Sequence, residues 1–271
     1  MKNRGKAVSL ANRREQIAKI LLVEGKSKVG DLARRFEVST ETIRKDLMAL
    51  DASGIIKKNN GSAEVLNESS ASNYTEKSKK AINEKVAIAQ CAVKLIPDKS
   101  VVFLDTGSTV YQLARQLILR KDITVVTNFT PIAELMNAHG IKVIMIGGEL
   151  NKTSGAATGP IASYWLSRLS ADIAFVGASG LQGENGPYVE NFSEAEIKHQ
   201  MIRNAEQAYV ITDSSKVRVK ALVKYAEWRE LDGLIVDDGL DEKTKEWLGA
   251  QVDVIEAPVE GERWYDLHSD L

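Results

Sequence analysis

The stretch VGDLARRFEVSTETIRKDLMAL, residues 29–50, decides how the front of the chain folds. Val29, Leu32, Ala33 and Phe36 fall at i, i+3, i+4 and i+7, the spacing of a short helix with one buried face. Glu37-Val38-Ser39 allows only a tight connection, and Ser39 is a good N-cap. A further helix is expected from about Thr40 to Ala52, with Ile43, Leu47 and Leu50 inward. Thr40, Glu41, Thr42, Arg44, Lys45 and Met48 then lie on its other side. Just upstream, NRREQIAKILLVE (residues 12–24) puts Ile17, Ile20 and Leu21 on one stripe, with Gly25 suited to end that helix. Helix, helix, three-residue turn and helix form the helix-turn-helix arrangement.

Such a third helix fits the major groove of double-stranded DNA, with its first residues at the base edges. Arg44 and Lys45 can bond phosphates or guanine, while Ser39, Thr40 and Thr42 are short enough to let the backbone approach. After Gly54, the run IIKKNNGSAEV (residues 55–65) reads as strand, Asn/Gly turn and strand. This small basic hairpin would lay Lys57 and Lys58 against the phosphate backbone. Helical stripes alone would equally suit a three-helix module for protein contacts. The short turn, the basic third helix and the basic hairpin together favour DNA.

Charge is distributed accordingly. The 271 residues carry 36 Lys and Arg against 37 Asp and Glu, a net charge of −1. Residues 1–66 hold 14 and 8 of these, a balance of +6, and the remaining 22 and 29 give −7. A basic front on an acidic body points to an anionic partner for the front alone. With 44% hydrophobic and 27% charged residues the composition is that of a globular protein. The single cysteine, Cys91, excludes an internal disulfide framework and reads as a packed small residue. His139, His199 and His268 are scattered, so no metal site is expected. Apolar runs such as Val101–Leu104 fall far short of the roughly 20 residues of a membrane helix. The start, MKNRGKAV, lacks the apolar segment of a signal peptide. No membrane association and a cytoplasmic location are the expectation.

Residues 1–66 are therefore expected to form the DNA-binding domain. The polar run NESSASNYT (residues 67–75) opens a linker placed at 67–78, and residues 79–257 form the body, with a tail at 258–271. A helix of about 20 residues is expected from Glu76 to Ile96. From residue 100 onward, short apolar strands alternate with helices, which argues for a mostly parallel sheet covered on both faces. On that architecture ligands bind at the carboxyl ends of the strands.

Those ends are small and polar: Asp105-Thr106-Gly107-Ser108-Thr109, Thr127-Asn128, Gly147-Gly148-Glu149, Gly177-Ala178-Ser179-Gly180 and Asp213-Ser214-Ser215-Lys216. A Gly/Ser/Thr loop that opens a helix offers free N–H groups to a phosphate. Asp105 reads as an acceptor for sugar hydroxyls, and Lys216 and Lys198, the latter on the helix of Glu194, as the balancing cations. Each loop taken singly could be an ordinary turn. Together they imply a small, hydroxylated, anionic ligand. With neither a Walker A string nor GxGxxG after the first strand, a nucleotide has little support.

The chain resembles the DeoR-type bacterial transcriptional regulators over about residues 10–257. The motifs that carry the resemblance are Arg13-Arg14 through Ile17, Asp31-Leu32-Ala33, Val38-Ser39-Thr40-Glu41-Thr42-Ile43-Arg44-Lys45-Asp46-Leu47, Asp105-Thr106-Gly107-Ser108-Thr109, Val126-Thr127-Asn128, Gly147-Gly148 and Asp213-Ser214-Ser215-Lys216. It implies a winged helix-turn-helix followed by an α/β sugar-phosphate sensor similar to the ribose-5-phosphate isomerase fold, without catalytic use or cofactor. It also implies a repressor of a sugar-catabolic operon, working as a homodimer or homotetramer and released by a phosphorylated sugar. Carried over by position, the effector site would involve Asp105, Gly107, Ser108, Thr109, Thr127, Asn128, Gly148, Glu194, Lys198 and Lys216.

Two stretches depart from the family pattern. Lys58-Asn59-Asn60-Gly61-Ser62-Ala63 stands where Arg-x-His-Gly-Gly-Ala is usual; lysine keeps the charge and loses the bidentate fork. Val217-Arg218 replaces a Phe-Gly that often follows Asp-Ser-Ser-Lys, which changes the pocket wall. Two other readings stay open at this point. Glu194 with Lys198, or Asp105 with Lys216, could nominally serve an isomerase, and the body could be an interaction module without a ligand.

Overall fold

The computed structural model describes residues 13, 14, 16–18, 20, 21, 26–52, 56–59, 62–65, 77–152, 154–181 and 185–259. The chain divides into two compact units, Met1–Glu68 and Ser69–Leu271. Most of the expected linker and tail lies outside the described residues.

In the first unit, helical residues between Arg13 and Leu21 lead to β1 (Lys26–Lys28), α1 (Val29–Arg35) and α2 (Thr40–Ala52). Ile17, Leu21, Leu32, Ile43 and Leu47 are fully buried, which is the core that the helical spacing calls for. The Ser39 hydroxyl accepts from Thr42 N–H at 3.1 Å and so caps α2. Glu37 takes a positive φ of 51° in the turn between the helices. β2 (Ile56–Asn59) and β3 (Ser62–Val65) pair antiparallel with Asn59 opposite Ser62, so two residues close the hairpin. A third strand was not legible in the sequence: β1 pairs with β3, Lys26 opposite Glu64 and Lys28 opposite Ser62.

The second unit opens with helical residues 77–79, then α3 (Ile82–Val93). The continuous helix expected from Glu76 is interrupted: Ala81 takes φ 51°, ψ 46°, the left-handed region. There follow β4 (Val101–Leu104), α4 (Ser108–Gln116), β5 (Thr124–Thr127), α5 (Thr130–Ala138), β6 (Lys142–Met145), β7 (Glu149–Leu150), β8 (Ala157–Thr158) and α6 (Pro160–Leu166). The rest is β9 (Ala171–Gly177), β10 (Tyr188–Val189), α7 (Phe192–Arg203), β11 (Ala205–Ile211), β12 (Val223–Lys224), β13 (Gly233–Asp237), α8 (Glu242–Gly249) and β14 (Val254–Ala257).

Seven strands form one parallel sheet in the order β14-β13-β11-β9-β4-β5-β6. Phe103, Val176, Val210 and Val236 join Ile197 and Met201 of α7 in one apolar cluster. Val102, Leu104, Ile173, Phe175, Ile211 and Ile235 alternate with them and are equally buried, so both faces of the sheet are covered. The strand order fixes where a ligand can sit. From β4 the chain winds outward to β5 and β6, then returns to β9 on the other side of β4 and winds outward again. The loops after β4 and β9 therefore diverge, and the crevice between them is the switch point of the sheet. Among the described residues no helix is long and apolar enough to cross a membrane.

Candidate functional site

In the first unit the candidate surface is the outer side of α2. Ser39, Thr40, Glu41, Arg44, Lys45 and Met48 are exposed and Thr42 is half-buried. Arg44 stands 3.5 Å from Glu41, a loose pair between two exposed side chains that a phosphate can displace. The buried side of α2 carries one charge, Asp46, 1% exposed. Its two oxygens accept from the Nε atoms of Arg13 at 2.7 Å and Arg14 at 2.9 Å. Asp46 thus ties α2 to the helix before it. Of the two expected wing contacts, Lys57 and Lys58 lie on β2, opposite Glu64 and Ala63; their side chains fall outside the described residues.

In the second unit a cavity of about 570 Å³ opens at the switch point. Asp105 continues β4 by one residue, its N–H donating to the Phe175 carbonyl on β9. Gly107, at φ 137°, then turns the chain into α4, a conformation that L side chains rarely adopt. The first turn of α4, Ser108 to Val110, lines the cavity with N–H groups that have no partner within the helix. A second helix start faces the same space: the Asn191 side chain caps α7 by accepting from Glu194 N–H at 2.9 Å. Thr212, Asp213, Ser215 and Lys216, after β11, close a third side.

Gly107, Ser108, Thr109, Glu194, Lys198 and Lys216, all named from the sequence, thus line one space. Asp105 is buried beneath it rather than open to it. Its carboxylate accepts from the Lys198 ammonium and, at 3.1 Å, from Gly177 N–H, so it joins the loops after β4 and β9. Burial pushes the Asp105 carboxyl up from its ordinary value, and Lys198 opposes that shift. The expectation of a free acceptor for sugar hydroxyls gives way to a brace that fixes Lys198. The Lys198 ammonium also lies 5.6 Å from the Tyr225 ring centre, and the Tyr225 hydroxyl donates to the Gly177 carbonyl at 2.9 Å.

Besides Asp105, three more expected effector residues are not among those lining the cavity. The Thr127 hydroxyl accepts from Phe129 N–H at 3.1 Å, and Asn128 Nδ2 donates to the Ala157 carbonyl at 3.0 Å. Thr127 ends β5 and Asn128 follows it, on the far side of β4 from the switch point, and Asn128 ties that loop to β8. Gly148 lets the chain pass Thr158, whose carbonyl a Cβ would meet at 2.5 Å.

Sequence reasoning missed Lys85, Lys77 and Lys80, which line the cavity too. Lys85 had a readable signal: it shares a helical stripe with Ile88, Ala89 and Ala92, all fully buried, where a lysine is out of place.

Comparison with known proteins covers most of the chain. Residues 13–69 match the DeoR-like helix-turn-helix domain and residues 80–238 the DeoR C-terminal sensor domain. A protein of Escherichia coli O157:H7 named as a candidate repressor of the aga operon is 34% identical over 250 residues, 90% of this chain and 93% of that protein. The L-fucose operon activator of Haemophilus influenzae is 31% identical and covers 83% of this chain and 90% of its own length. Among solved structures, ribose 5-phosphate isomerase A of Methanocaldococcus jannaschii is 23% identical, with a TM-score of 0.37 over 49% of this chain and 53% of its own. The relatives are named as regulators, and the chain belongs to the DeoR family of helix-turn-helix transcriptional regulators.

Proposed function

We propose that this regulator represses a carbohydrate-catabolic operon and is released by a phosphorylated sugar. One observation carries the effector half of this reading: a cavity at the switch point with two helix starts and a cluster of lysines on its walls. Helix N-termini and ammonium groups suit the phosphate, while Glu194, Asn191 and Ser179 suit hydroxyl groups. Asp105, Gly107, Ser108, Thr109, Glu194, Lys198 and Lys216 make up the working set, with Asp105 acting through Lys198. Thr127, Asn128 and Gly148 support the neighbouring loop.

The DNA half rests on α2. Ser39, Thr40, Thr42, Arg44 and Lys45 read the major groove, and Lys57 and Lys58 contact the backbone from the hairpin. One such module reads few bases, so the protein acts as a homodimer or homotetramer on repeated half-sites. The proposed divisions are a DNA-binding domain at 1–66, a linker at 67–78, a sensor at 79–257 and a tail at 258–271. The named relatives include the lactose phosphotransferase system repressor of Streptococcus mutans, which supports a sugar-linked role.

The sugar must bind one arrangement of the protein better than the other, since equal affinity would shift nothing. Titration of operator DNA with the protein, with and without a panel of sugar phosphates, tests this. At least one sugar phosphate should weaken DNA binding tenfold or more. No change with any of them would refute the effector assignment.

A further inference from the structure

Helix α3 carries a charge that the reading above leaves without a task. Lys85 is 3% exposed, and its ammonium donates to the main-chain carbonyls of Lys77 at 2.5 Å and Lys80 at 2.6 Å. An ammonium has three donors, so among the described residues one is left over, and Lys85 lines the cavity. Burial pulls the ammonium below the ordinary lysine range; Asp213 opposes this and Lys216 adds to it. A buried cation held by neutral carbonyls, its burial offset only in part by Asp213, is stabilised when a further negative charge arrives. An anion in the cavity would supply one.

The two carbonyls belong to a separate piece of backbone. Residues 77–79 are helical, Ala81 is left-handed, and α3 starts at Ile82. Left-handed backbone is unfavourable for alanine, the strongest helix former, so the break at Ala81 has to be held by other contacts. Lys85 holds it, by reaching back across the break to both carbonyls. Lys77 and Lys80 themselves border the cavity. Residue 76 and those before it lead along the chain to the DNA-reading unit.

We propose that Lys85 contacts the bound anion and, through its hold on residues 77–80, latches the entrance to the sensor unit when that anion is present. The inference rests on the cavity being the effector site. The anion neutralises Lys85, strengthens its place between the two carbonyls and fixes the segment from which the linker departs. Ligand occupancy is thereby passed to the chain leading toward the DNA.

Hydrogen exchange on the full-length protein, with inorganic phosphate as the probe, tests the latch. Phosphate should slow exchange at residues 108–111, which include the cavity-lining first turn of α4, and also at residues 77–85. Lys85→Met should bind phosphate about tenfold more weakly, as for one lost charge-assisted hydrogen bond, and keep the protection at 108–111 while losing it at 77–85. Lys85→Arg, which retains a cation, should restore the response at 77–85. Protection of wild-type 108–111 without any change at 77–85 overturns the latch and leaves the effector site standing; that measurement needs no variant. Protection at neither segment removes the effector site and the latch with it. Persistence of the 77–85 response in Lys85→Met would assign the hold to another residue.

Discussion

Asp46, on the buried side of α2, accepts from Arg13 Nε at 2.7 Å although the two residues are 33 positions apart. Its other oxygen accepts from Arg14. The buried side of α2 thus sets the angle of the exposed side, the one proposed to meet DNA. Asp46→Ala should destabilise the first unit by about 1–3 kcal/mol, the cost of unmaking charged hydrogen bonds when the arginines can rehydrate. Thermal unfolding measures the loss. DNA affinity should fall as well, although Asp46 is 1% exposed.

Arg44 and Lys45 project from the opposite side. Arg44→Ala and Lys45→Ala should each weaken operator binding by about 1–3 kcal/mol. For whichever contacts a phosphate, the slope of log affinity against log salt should drop by about one unit. Fluorescence anisotropy across a salt series reads both quantities. Normal affinity in both variants would refute the assignment of α2 to the major groove.

In the sensor unit, Lys198 and Asp105 stabilise each other. Lys198→Met leaves a carboxylate at 1% exposure without its cation, and breaking such a buried pair costs about 3–5 kcal/mol. The double variant Asp105→Leu with Lys198→Met removes both charges and should recover most of that stability while remaining blind to ligand. Thermal melts with and without phosphate separate the two effects. A double variant no more stable than Lys198→Met would contradict the pairing.

A pH dependence follows from Asp122, at the surface after α4. Hydrogen bonds from Arg120, and one from Lys99 N–H at 2.9 Å, hold its carboxyl well below the usual value of 3.8. A depressed carboxyl contributes stability above its unfolded pKa and loses it as pH falls toward the folded one. Asp122→Asn should therefore lower the melting temperature near neutrality and flatten its fall from about pH 4 downward, so that variant and wild type converge in acid. An unchanged acid limb would show that the pair is not maintained in solution.

Much of this was legible in the sequence because it is written in local periods. The spacing of Ile43, Leu47 and Leu50 fixes the face of α2, and the polar ends of the apolar strands mark where a ligand should be sought. Strand order is not local, however. Nothing in Thr127-Asn128 says that β5 lies beyond β4 from the crevice, so their sequence alone does not reveal that they stand apart from the cavity lining. The three-residue strand Lys26–Lys28 has no pattern of its own and is defined by its partner. Ala81 carries the opposite signal from its conformation, because a tertiary contact from Lys85 overrides the propensity of the residue. Lys85 itself stood in plain view as a charge on an apolar stripe.

The strand Lys26–Lys28 has a wider consequence. It joins the hairpin to the chain immediately ahead of α1, so hairpin and recognition helix cannot drift apart as separate tethered parts. The distance between the outer side of α2 and the hairpin, the two surfaces proposed to meet DNA, is then a constant of the protein, like the jaws of a fixed gauge. If two copies bind one operator, as proposed above, a base pair gained or lost between half-sites would have to be absorbed between one copy of this gauge and the next.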